Sequence, residues 1–148
     1  MTYLEQIINQ CKRAGASSML RLDMTPEEIC RLLHTPQGRE FILSGMPTLA
    51  QWRLIKSDYN DLLIRYNIYL DSDQVNLDGE AKSIIAIGDT NLLLTPDRCE
   101  LYQITALHGA QANIHADGWA VVCIEGDTES RANVEKSEHA IVFNSLCA

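Results

Sequence analysis

Long hydrophobic runs are missing from this 148-residue chain. None approaches the roughly 18 apolar residues that a membrane-crossing helix needs, so no membrane partner is expected. No basic segment followed by an apolar stretch opens the chain, which argues against a secretory leader. There is no CxxC, and the five cysteines (Cys11, Cys30, Cys99, Cys123, Cys147) are widely spaced and odd in number. That pattern fits reduced thiols in a cytoplasmic protein better than a zinc site or a disulfide framework. GxSxG, a Cys/His pair and a phosphate-cradling glycine loop are also absent. The sequence therefore offers no catalytic residue and no cofactor-binding residue, and the expectation is a protein that is not an enzyme and uses no cofactor.

Positive charge is scarce in one half only. Residues 61–148 carry five Lys/Arg against fourteen Asp/Glu, whereas residues 1–60 carry seven against six. The formal net charge is −8. Such a step marks a change of structural unit, and an acidic surface repels a phosphate backbone. A nucleic-acid partner is not expected of the acidic half.

The first half carries helix signals. Leu4, Ile7, Ile8 and Cys11 follow helical spacing, and Gly15 is a natural stop. Thr25-Pro26-Glu27-Glu28 reads as a capping box with proline at the first helical position. Thr35-Pro36 repeats the signal, and Pro47-Thr48 opens a fourth helix with Leu49, Trp52 and Ile55 inward. A helical unit over 1–58 follows, with β structure over 59–148 and a first strand from about Tyr66.

The second half is a series of short apolar runs separated by turn dipeptides such as Asp117-Gly118 and Gly126-Asp127. Within it one element is written twice. Residues 112–123 and 132–143 match at Ala112/Ala132, Asn113/Asn133, Ala120/Ala140 and Val122/Val142, twenty residues apart. That period suits one coil of a β-solenoid, in which equivalent small residues stack. The expected fold is therefore α+β: short N-terminal helices, then an all-β region read as a single-stranded β-solenoid. A small β-barrel or sandwich is the alternative, in which Asp117-Gly118 would be a hairpin turn.

The segments His34–Phe41, Pro47-Thr48-Leu49, Leu107–Ala112 and Ala116–Val122 resemble a family of uncharacterised bacterial proteins common in gut Bacteroidetes. A Tyr is more usual there than Trp119. The resemblance implies helices joined to Ala-x-Val strands, and it brings no activity.

Candidate sites are few. His108, His115 and Glu125 are the candidates for a metal in a small metal- or ligand-binding barrel, but their spacing lacks the two-apart histidines of such sites. Asp71, Asp73, Asp78, Glu80, Asp89, Asp127 and Glu129 could supply oxygens to calcium, yet none follows a calcium-loop spacing. Asn113 and Asn133 can form an amide ladder if they stack. Helices over 25–34 and 36–44 would turn Gln37, Arg39 and Glu40 towards DNA, with too few basic neighbours. The favoured reading is a non-enzymatic scaffold or protein-interaction module. The N-terminal helices would cover one end of the solenoid, and the few residues after Phe143 are too short to cover the other. Trp119, Val121, Cys123, Ile141 and Phe143 would form an apolar contact face for a second copy or another protein. The metal-binding barrel and a DNA-associated role for the helices are the alternatives.

Overall fold

The computed structural model describes residues 3–13, 21 and 23–146, with the backbone alone at Tyr3. The expected stop at Gly15 and the cysteine Cys147 lie outside the described residues. Two units divide the chain, Met1–Tyr66 and Asn67–Ala148.

The first unit contains α1 (Tyr3–Cys11), α2 (Pro26–Leu33), α3 (Pro36–Leu43) and α4 (Leu49–Arg65). Thr25, Thr35 and Thr48 each accept a backbone N–H from the third helical residue, at 3.2, 3.1 and 3.3 Å. The reciprocal capping box forms at Thr48, where Gln51 accepts the Thr48 amide at 2.9 Å. Glu28, expected to play that part for α2, instead lies 3.8 Å from the Arg21 guanidinium. Ile7, Ile8 and Cys11 of α1 are buried against Ile29, Leu32, Phe41 and Ile55, and Trp52 is buried as well. Among the described residues no helix is long and apolar enough to cross a membrane.

Residues 59–65 continue α4, and the chain leaves the helix only at Tyr66. The first strand therefore starts at Ile68, later than the sequence pattern suggests. The alternating Ile64, Tyr66 and Ile68 imitate a strand across a helix end. The helix does bend at Tyr59 (φ −126°, ψ 21°), the residue at which the β region was expected to begin.

The second unit is a β-solenoid, with nine strands among the described residues: β1 (Ile68–Leu70), β2 (Asp73–Leu77), β3 (Ser83–Ile87), β4 (Thr90–Leu94), β5 (Leu101–Leu107), β6 (Gln111–Ala116), β7 (Val121–Gly126), β8 (Arg131–Lys136) and β9 (Ile141–Asn144). Odd strands form one sheet in the order β1-β3-β5-β7-β9, and even strands form the other, β2-β4-β6-β8. Every pairing is parallel. Asp117-Gly118 is therefore a corner between sheets, because β6 and β7 do not pair with each other. Neither a closed barrel nor a sandwich built of hairpins forms.

Register follows the repeat. Ala112 pairs with Ala132 and Val122 with Val142, twenty positions on. The same step joins Leu92 to Ala112 and Tyr102 to Val122. The first coil is three residues shorter: Ile68 pairs with Ile85 and Asp73 with Thr90, each seventeen positions on. Alternation sends Leu92, Leu94, Ile104, Ala112, Ile114, Val122, Ile124 and Ala132 into one core between the sheets. Each fully buried Leu, Ile or Val contributes about 1.5–3 kcal/mol. Small residues serve the corners, where Ala110, Ala120, Ser130 and Ala140 are buried. Gly126 sits where a Cβ would come within 2.3 Å of the Ala106 carbonyl oxygen, so successive coils can close only over a hydrogen at this point.

Candidate interaction surface

Outward positions of the solenoid stack into columns just as the core positions do. Asn113 donates to the Asn91 side chain at 2.7 Å, diagonally across the β4–β6 ladder. Asn133 donates to Asn113 at 3.3 Å. An amide ladder is thus present, and it has a rung at Asn91 that the twenty-residue match does not reveal. In the next outward column of the same sheet, His115 lies 3.3 Å from Glu135.

The three metal candidates do not converge. His115 points outward from β6, and Glu125 is an outward residue of β7 in the opposite sheet. His108 is a corner residue with φ of 55°, and Gly88 takes the corresponding left-handed corner in the preceding coil with φ of 68°. The His108 amide donates to the Asp127 carboxylate at 2.7 Å. Among the described residues no group of three or more His, Cys, Asp or Glu could hold a metal ion.

The acidic turn residues act locally. Asp71 accepts the Asp89 amide at 2.8 Å, Asp78 accepts the Glu80 amide at 2.9 Å, and Asp127 accepts the Ser130 hydroxyl at 2.8 Å. Glu80 and Glu100 form exposed ion pairs with Arg98 and Lys82, both at 2.8 Å, which carry little energy in water. In the helical unit, Arg39 donates to the His34 carbonyl at 2.5 Å. That contact commits the guanidinium to the α2–α3 connection.

Buried chemistry is muted. Burial pushes the Cys11 and Cys30 thiols up to about 11, which keeps them protonated and unreactive. His34 is held below its ordinary value, chiefly by burial, while its Nε2 lies 2.6 Å from the Tyr66 carbonyl. An apolar cavity of about 60 Å³, lined by Ile7, Cys11, Ile29, Cys30, Trp52 and Ile55 among others, is far below the few hundred Å³ of ordinary ligand pockets.

The apolar face is the exception to this quiet surface. The structure brings Val121, Cys123, Ile141 and Phe143 together on the outside of the five-stranded sheet. Leu101, Val121 and Ile141 form one column there, and Gln103, Cys123 and Phe143 form the next. Trp119 stands at the corner leading into β7 and stacks on His139. Leu101 (51% exposed), Trp119 (62%), Ile141 (51%) and Phe143 (61%) are four of the six large apolar side chains left exposed among the described residues. Leu101 extends the face by one coil. Its place twenty residues before Val121 is the signal that reveals it.

No family model, curated protein or solved structure matches this chain at significant similarity.

Proposed function

We propose that this protein is a non-enzymatic scaffold that acts through protein–protein contact and self-associates through its last coils. One observation carries the reading. The exposed large apolar side chains concentrate on one sheet face of coils three to five, and that face ends at β9, the last strand of its sheet. Soluble monomers rarely leave a contiguous apolar patch uncovered, and an unpaired strand edge invites another strand. The turn carboxylates and the corner conformation of His108 support the same reading, because they assign the chemistry-bearing residues to holding the fold. The test is sedimentation or light scattering from micromolar to sub-millimolar concentration. The expected result is a mass that rises to that of a defined oligomer. A monomer across the whole range would remove the reading.

A further inference from the structure

The last coil ends in β8 and β9, whose outer edges pair with no other strand among the described residues. The outward row of β8 runs Arg131, Asn133, Glu135: a cation, an amide and a carboxylate, all exposed. The inward row is Ala132, Val134 and Lys136; Val134 is only partly covered, and the Lys136 ammonium donates to the Ala140 carbonyl at 3.2 Å. This order is complementary to itself when read backwards.

We propose that two copies of the chain join end to end through β8, antiparallel and centred on Asn133, as a closed two-fold dimer. This rests on the self-association proposed above and places its contact at the β8 edge, in the sheet opposite the apolar face. Centring on Asn133 sets each Arg131 opposite the second copy's Glu135. The two Asn133 residues face each other and extend the amide ladder across the axis. Ala132 meets the second copy's Val134, which covers the open end of the core. Edge pairing supplies backbone hydrogen bonds, and the two charge pairs fix the register. The symmetry is isologous, so the assembly closes at two.

Two features oppose the other arrangement, an open stack with the last coil of one copy on the first coil of the next. The outward column of Glu135 and His115 continues back to Thr95 and then Asp78. An open stack would therefore set Glu135 against the next copy's Asp78, two carboxylates. In the other sheet, β9 continues the columns of Leu101–Ile104, whereas β1 pairs with Ile85–Ile87, which align with Thr105–Leu107. β9 and β1 share no column, so a translated copy leaves β9 without a strand.

The full chain carrying Asn133→Cys tests this under mild oxidation, with the unaltered protein as the background for its own five cysteines. Directly opposed residues in antiparallel strands have Cα atoms about 4.5–5.5 Å apart, within the range a disulfide spans. The expected product is a covalent dimer linked through position 133. Independently, Arg131→Glu or Glu135→Arg alone should weaken association on the order of tenfold, and the two together should restore it. Crosslinking no greater than background, with no rescue in the double variant, overturns the geometry while a measured oligomer keeps the scaffold reading. Open-ended assemblies do the same. A monomer at every concentration overturns both.

Discussion

Trp119 lies flat on His139, with ring centroids 4.2 Å apart and planes 16° from parallel. The two residues stand twenty positions apart, at the same corner of successive coils. They are also a position at which the two copies of the repeat differ, so the difference in sequence is a contact in space. Aromatic pairs of this kind contribute about 0.5–1.5 kcal/mol beyond burial. A double-mutant cycle of Trp119→Ala and His139→Ala should therefore show a coupling of that size in the unfolding of the β unit. Additive effects within about 0.3 kcal/mol would mean that the stack carries no energy.

The amide ladder makes an unequal prediction for its rungs. Asn113 both donates to Asn91 and accepts from Asn133, whereas Asn133 makes one bond of the ladder within the chain. Asn113→Ala should cost about 1–2 kcal/mol and Asn133→Ala roughly half of that, since each lost bond is worth about 1 kcal/mol. Denaturant unfolding of the two variants in dilute solution measures both. Equal costs, or a larger cost at Asn133, would contradict the ladder as the source of stability.

Two glycines separate crowding from conformation. At Gly126 an added Cβ meets the Ala106 carbonyl oxygen, which is backbone and cannot step aside. At Gly109 it meets nothing within 4 Å, but φ is +92°. Gly126→Ala should cost roughly 1–3 kcal/mol or more by overpacking, and Gly109→Ala about 1 kcal/mol from backbone strain. Melting of the two variants should follow that order, and a neutral Gly126→Ala would show that the coils can spread.

His34 gives the helical unit a pH dependence of defined sign. Its folded pKa is lowered, first by burial and further by Arg39, with the Tyr66 carbonyl opposing. The unfolded state, with an ordinary value near about 6.5, then binds the proton more tightly. Stability is complete above about pH 6.5 and is lost as pH falls through the lowered folded value. Comparing Tm at about pH 7.5 and pH 5.5 should show a drop that His34→Gln reduces. An identical drop in the variant would assign the effect elsewhere.

The helices were legible because three threonines mark their starts. The last coils were legible because Ala112, Ala120, Ala132 and Ala140 fill tight positions that admit little else. Upstream the pattern fades for physical reasons. Tyr102 occupies the column of Val122, and the large ring fits because its hydroxyl reaches the Gly79 carbonyl at 2.9 Å. β2 has a single buried residue, Val75, so Asp73–Leu77 reads as a loop. The shorter first coil then breaks the period. The apolar face could be anticipated from Val121, Cys123, Ile141 and Phe143, whereas the stack on Trp119 and the corner role of His108 depend on which residues the coils superpose.

The twenty-residue register also makes length a stepped quantity. Residues 111–130 span one full coil, and Arg131 already donates its amide to Ala110. Removing that segment would join two residues that are neighbours in space and shorten the rod by one rung of about 4.8 Å. Duplicating it would move the terminal edge outward by the same amount and leave every column intact. The distance between the first coil and the last is thus a ruler graduated in coils, adjustable by whole repeats without redesign of the columns that hold the fold.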